Sequence, residues 1–218
     1  DHCWSVGGEA ALHQCFQAFA GNAAELLCYA TDATHALFDD HPSVTFVDVG
    51  AAKVLDLLVP GHHNQINATL AVRQAVKLGV AESAALDAVG SFQGVDRRLS
   101  LRYSGAVDVV EDYAHHPSEV EAGIAALREH YVGRPLRIVF QPHRYSRTLQ
   151  YKREFATSLN RADQIFLLDV YPACENPLPG GATEDLYAHL RDARLKTHRV
   201  ASPADLWASI QPHLGTPS

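Results

Sequence analysis

The feature that most constrains this chain is a strand–helix–strand pattern between residues 107 and 140, with a polar cluster following each strand. Val107, Val109 and Val110 form a β-branched run broken by Asp108, the pattern of a buried strand. Pro117 suits the first turn of a helix, where its missing N–H is not needed, and Glu119 and Glu121 favour the same positive end. Val120, Ile124, Leu127 and Tyr131 recur at i, i+4, i+7 and i+11, one apolar face, until Gly133 and Pro135 stop the helix. Residues 136–140 read as the next strand, so the unit is expected to be βαβ with its two strands parallel. In an open parallel sheet the carboxyl ends of the strands form the ligand-binding rim. Asp112, Tyr113, His115 and His116 are therefore expected to converge there with His143, Arg144 and Arg147. Arg144 and Arg147, read as exposed forks three residues apart, match a carboxylate or phosphate.

Asp112-Tyr113-Ala114-His115-His116-Pro117, followed by Phe140-Gln141-Pro142-His143-Arg144-Tyr145-Ser146-Arg147-Thr148, resembles the C-terminal domain of the Mur ligase family. Within the family it is most similar to the branch that joins L-alanine to UDP-N-acetylmuramate in peptidoglycan precursor synthesis. The resemblance implies an ATP-dependent amide-bond-forming ligase, with ATP and Mg2+ required by the complete enzyme. A carboxylate is first phosphorylated to an acyl phosphate, which the amine of L-alanine then attacks; such a reaction needs positioning and fixed cationic donors. By resemblance, Arg144 and Arg147 hold the amino-acid carboxylate or the reacting centre, and His115 acts with them in catalysis. Tyr113 and His115 line the same pocket, His143 orients the loop, and Asp112 holds the ATP ribose.

Upstream, Pro60-Gly61-His62-His63-Asn64-Gln65-Ile66-Asn67-Ala68 makes a turn into a helix expected over 64–78 and closed by Gly79. Taken alone, Asn64 reads as a helix cap. The family has a similar segment whose two Asn contact adenine, which implies that role for Asn64 and Asn67. Ser91-Phe92-Gln93-Gly94-Val95-Asp96-Arg97-Arg98 resembles the family's junction before its last domain, where the second Arg reaches the nucleotide, here Arg98. The expected organisation is α/β: a partial central ATP-binding domain over 1–95, then a Rossmann-like, mostly parallel-sheet C-terminal domain over 96–218. In the first part, Leu12, Phe16 and Phe19 mark a helix with one apolar face, and 26–30, 44–49 and 54–59 read as strands. Tyr171-Pro172-Ala173-Cys174-Glu175 resembles a family loop at the carboxyl end of a later strand.

Composition excludes rather than selects. A net charge of -7 over 218 residues argues against a general nucleic-acid binder, so an anion site must come from local arginines. No run of about 18 apolar residues is present and no signal peptide opens the chain, so a cytoplasmic protein without a membrane span is expected. The four cysteines form no CxxC pair and read as dispersed thiols. Adjacent histidines on a strand point to opposite faces, so the His62-His63 and His115-His116 pairs are not read as metal sites. Only His2 carries a metal expectation, because Asp1-His2 resembles the tail of a family segment near the metal and phosphates. The sequence has no Met and no Gly-Lys phosphate loop, and reads as a trimmed or partial chain that is inactive alone. Two other readings stay open: a non-catalytic module binding a nucleotide or acidic metabolite, and a related murein-peptide ligase. Small-molecule substrates are the expected partners; oligomeric state is not legible.

Overall fold

The computed structural model of the chain describes residues 7–190 and 196–214. His2, the one metal expectation, lies outside the described residues. The chain folds as two compact units, Asp1–Gln93 and Gly94–Ser218.

The earlier unit runs α1 (Glu9–Ala20), β1 (Leu26–Tyr29), α2 (Asp32–Phe38), β2 (Val44–Val47), α3 (His62–Lys77) and α4 (Glu82–Gly90). β1 and β2 pair in parallel, Leu26 opposite Val44 and Tyr29 opposite Val47. Thr31 starts α2: its Oγ1 accepts from the Thr34 amide at 3.1 Å while Thr34 Oγ1 accepts from the Thr31 amide at 2.9 Å, a reciprocal cap. The strand expected over 54–59 does not form. Instead the Gln65 carboxamide takes the Leu55 amide at 2.9 Å and donates to the Leu55 carbonyl at 2.8 Å, so a side chain supplies what a neighbouring strand would. Helix α3 begins two residues before the expected start, at a turn where Gly61 takes φ 103°. Such a conformation is open to glycine and costly for other residues.

The later unit runs β3 (Ser100–Tyr103), β4 (Val109–Glu111), α5 (Pro117–His130), β5 (Arg137–Phe140), α6 (Tyr145–Leu159), β6 (Gln164–Leu167), α7 (Thr183–Leu190), β7 (Lys196–Arg199) and α8 (Pro203–Leu214). A three-stranded parallel sheet of order β5-β6-β7 forms its centre. Strand alternation decides the layers. Ile165 and Leu167 of β6 join Phe140, Val120 and Ile124 of α5, Phe155 and Leu159 of α6, and Leu186 and Leu190 of α7 in one core. Phe166, between them in sequence, points the other way into a smaller cluster with Leu168, Val200, Leu206 and Ile210, under α8. Both faces of β6 are covered, which is why Gln164-Ile165-Phe166-Leu167 is nearly continuous in apolar residues rather than alternating.

One expectation is corrected. β4 does not pair with β5; it pairs antiparallel with β3 as a separate two-stranded sheet, Ser100 opposite Glu111 and Leu101 opposite Val110. The link between β3 and β4 is only residues 104–108, closed by Ser104 Oγ donating to Asp108 at 2.7 Å. A connection this short joins antiparallel neighbours, and that local pairing takes the ladder side of β4 before a crossover partner can.

Candidate functional site in the later unit

Although β4 and β5 are not ladder partners, the two polar clusters meet. Their helices bring them together: α5 and α6 share a core, and Ser158 Oγ near the end of α6 donates to the Pro117 carbonyl at the start of α5 at 3.0 Å. The rings of His115 and His143 then lie 5.9 Å apart.

The first cluster is set by the start of α5. Glu119 stands two residues after Pro117 and folds its carboxylate back over the turn, accepting the His115 amide at 2.9 Å and the His116 amide at 3.2 Å. Burial pushes the Glu119 carboxyl up, but the His115 and His116 amides with the nearby His115 and Arg98 charges outweigh it and hold it below the usual carboxylate range. His115 Nδ1 lies 2.8 Å from the Tyr113 carbonyl and 3.5 Å from Glu119. Its neighbour behaves differently: His116 is buried, edge-on to the Tyr151 ring at 4.6 Å. Of the three histidines expected on the rim, only His115 and His143 face each other. Tyr113, half exposed, packs edge-on to His115 at 5.0 Å, with the Arg97 and Arg98 guanidiniums 4.7 and 5.8 Å from its ring centre.

The second cluster is the start of α6. Arg144 occupies the N-cap position at φ 74° and is not part of the helix, so its three-residue spacing from Arg147 does not put the two on one helical face. Arg147 is also not the exposed fork that spacing suggests: it is only 5% accessible. Its Nη1 donates to His143 Nδ1 and to the His143 carbonyl, each at 3.3 Å. Burial, then the Arg144 charge, lowers the Arg147 pKa. Burial also depresses His143, reinforced by Arg147, His115 and Arg144 and opposed by Glu175.

A third segment, residues 168–182, closes the arrangement. Tyr171 bridges to His143 in parallel and stacks on its ring at 5.3 Å; the Arg144 amide donates to the Tyr171 carbonyl at 2.8 Å. Glu175 accepts the Ser146 amide at 3.0 Å and the Ser146 hydroxyl at 2.6 Å, and lies 3.9 Å from Arg144. An acid from a distant loop thus caps a helix whose own N-cap, an arginine, cannot accept. Burial raises Glu175, yet the two Ser146 bonds and Arg144 keep it below the usual carboxylate range. Backbone strain clusters here. The non-glycine residues with positive φ among those described are Arg97, Leu99, Arg144, Ala173 and Cys174, all in segments that carry or flank this site.

Asp112 sits beside this group, Oδ1 accepting the Ala114 amide at 3.2 Å. Its carboxylate fills a place that a side chain would take: a Cβ on Gly123 of α5 would come 2.9 Å from Asp112 Oδ2. In the earlier unit, Asn64 does not cap α3; its amide donates to the Pro60 carbonyl at 2.6 Å and the N-cap is Gly61. Asn67, one turn on, is exposed. Sequence reasoning passed over Glu119, Ser146, Tyr171 and Glu175 as functional groups. The spacing of Glu119 from the helix start is a local signal for it, and the family-like segment 171–175 is the signal for Tyr171 and Glu175, which bound it.

Residues 97–216 match the family described as Mur ligase, glutamate ligase domain. A UDP-N-acetylmuramate--L-alanine ligase of Arthrobacter sp. (strain FB24) is 45% identical over 153 residues, covering 69% of this chain and 33% of that protein. One from Mycolicibacterium gilvum (strain PYR-GCK) is 49% identical over 137 residues, covering 60% of this chain and 29% of that protein. Among solved structures, UDP-N-acetylmuramate-alanine ligase from Thermotoga maritima superposes with a TM-score of 0.74 at 23% identity, over 95% of this chain and 50% of that one. Folylpolyglutamate synthase from the same organism gives 0.63 at 14% identity, over 92% and 53%. The chain spans about a third of the length of the curated relatives it matches.

Proposed function

The chain belongs to the Mur ligase family, and from that premise we propose that it carries the amino-acid site of an ATP-dependent ligase joining L-alanine to UDP-N-acetylmuramate. The observation that carries this reading is the meeting of His115, His143, Arg144, Arg147 and Glu175 at the starts of α5 and α6. Arg144, about a third exposed, is the fork that receives the amino-acid carboxylate. Arg147, buried beneath it, adds a second fixed charge and braces His143. Tyr113 flanks His115 at the edge of this group, held by Arg97 and Arg98.

ATP supplies the phosphoryl group that turns a carboxylate into a reactive acyl phosphate. Asp112 suits its ribose, because an ionised carboxylate accepts from two hydroxyls and Gly123 leaves it the room. Arg98, near enough to Glu119 to lower its pKa, is the nucleotide-side cation of this unit. Asn64 and Asn67 are assigned to adenine; with the Asn64 amide turned to Pro60, its carbonyl oxygen remains as the group for the base. Mg2+ is expected with the nucleotide; among the described residues no group of three or more His, Cys, Asp or Glu is placed to hold a metal.

The test is phosphate release by the full-length protein supplied with ATP, UDP-N-acetylmuramate and L-alanine. Release is expected only when all three are present. Arg144→Ala should reduce the rate by roughly one to two decades, the worth of a charge-assisted hydrogen bond, with an unchanged melting temperature. Nucleotide binding without turnover would instead mark a binding module.

A further inference from the structure

We propose that the two facing histidines divide the proton chemistry of amide formation: His115 Nε2 takes a proton from the incoming ammonium, while His143 serves only as a hydrogen-bond donor through Nε2–H. This rests on the ligase reading above and assigns a step within it.

The assignment follows from what each ring's Nδ1 meets. A backbone carbonyl has no proton to give, so the 2.8 Å contact between His115 Nδ1 and the Tyr113 carbonyl requires the proton on Nδ1. In the neutral ring Nε2 is then the basic nitrogen. A guanidinium has no lone pair to offer, so the 3.3 Å contact between Arg147 Nη1 and His143 Nδ1 requires the lone pair on Nδ1. The proton of neutral His143 is then on Nε2. Two rings 5.9 Å apart are thus held in opposite tautomers by opposite partners.

The surroundings reinforce the difference. When His115 gains a proton, its positive charge forms 3.5 Å from the Glu119 carboxylate, an orienting acid behind a base. If His143 gained one, it would lose the Arg147 bond and place a cation beside two arginines, with Glu175 as the opposing acid. Groups that face His115 include Tyr113 and Glu119 from its own segment, and His143 from the segment before α6.

The chemistry needs such a division. An amino acid arrives with an ammonium, which has no lone pair with which to attack. One proton passes to His115 Nε2, the freed pair on nitrogen forms the C–N bond, and the C–O bond to phosphate breaks with its electrons leaving on phosphate. The second nitrogen proton departs with that phosphate, and His115 returns its own to solvent. His143 Nε2–H meanwhile is available to the oxyanion that forms on the acyl oxygen.

Two measurements decide it. Histidine-selective 15N NMR on the 218-residue chain should show neutral His115 protonated at Nδ1 and neutral His143 at Nε2; Nε2–H at His115 overturns the proposal without any assay. In the full-length protein, acyl phosphate can be captured by hydroxylamine, an amine already neutral at pH 7. His115→Asn keeps a donor for the Tyr113 carbonyl but lacks Nε2. It should lose alanine ligation by roughly 10²–10⁴-fold, the range of general acid–base catalysis, while still forming hydroxamate within a few-fold of wild type. Equal loss with both amines would make His115 a positioning residue and defeat the proposal. No hydroxamate from the wild-type protein would instead defeat the ligase reading beneath it.

Discussion

The two units bury their apolar residues very differently. In the later one, Ile165, Phe166 and Leu167 are wholly inaccessible, as are Leu159, Leu186 and Leu190, because helices cover both faces of a three-stranded sheet. In the earlier one, Phe19 is 75% exposed, Val54 77% and Leu58 63%, and β1 and β2 form a sheet of two strands only. The helical face read from Leu12, Phe16 and Phe19 exists as a helix, but not as a buried face. The amphipathic pattern shows which side of a helix wants cover; whether cover exists depends on layers that the pattern does not contain. The candidate amino-acid site, with its strained backbone at Arg144, Ala173 and Cys174, belongs to the well-packed unit. Strained conformations persist only where surrounding packing over-determines them.

Breaking the comparison at its strongest point means cutting into the later core. Phe155→Ala removes a ring that touches Phe140 at 5.3 Å and is 1% exposed, and should cost about 3–5 kcal/mol. Phe19→Ala in the earlier unit should change stability by no more than about 0.5 kcal/mol. Urea unfolding followed by hydrogen exchange of each unit separates the two; comparable costs would mean that the earlier unit packs as tightly as the later.

A smaller effect comes from buried polar links. Thr183, 2% exposed, accepts the Val170 amide at 2.9 Å and donates to the Leu168 carbonyl at 3.2 Å. Thr183→Val keeps the shape but leaves both backbone groups unsatisfied, at a cost of about 1–3 kcal/mol. Thr31→Ala, which removes the reciprocal cap of α2, should cost only about 1 kcal/mol. Equal midpoints for the two variants in urea would blur the contrast between buried and half-exposed links.

The smallest effect sharpens the comparison through pH. His143 is held below the usual histidine value, so the unfolded chain binds that proton more tightly than the folded one. The associated stability is complete above about pH 6.5 and falls as pH drops below it, until the depressed folded value is passed. Glu119 and Glu175 are also depressed, so their contribution is present above about pH 4.3 and is lost as pH falls through their folded values. Between pH 7.5 and 5, hydrogen-exchange protection at the start of α6 should therefore decline before that of α3. His143→Asn should remove the upper part of that decline; an unchanged profile would show that His143 is not its source.

Much of this protein was legible residue by residue. The helix beginning at Pro117, the strands around Ile138 and Ile165, and the motif that marks the family all follow from local chemistry: proline geometry, apolar periodicity, and unusual runs of His and Arg. The candidate residues Tyr113, His115, His143 and Arg144 were readable for the same reason, since each lies in a short segment whose composition is itself unusual. What the chain could not state locally is what lies beside what. The choice of β3 over β5 as the partner of β4 is a competition between a five-residue link and a crossover, settled by closure of the shorter loop. The burial of Arg147, the turning of His116 onto Tyr151, and the capping of α6 by Glu175 from 29 residues away are contacts between segments distant in sequence. The contacts that set the tautomers of His115 and His143 are by contrast local, one with a carbonyl two residues off and the other with an arginine one helical turn on. Spacing carries information over a helical turn or a strand pair; beyond that range, packing decides which atoms meet.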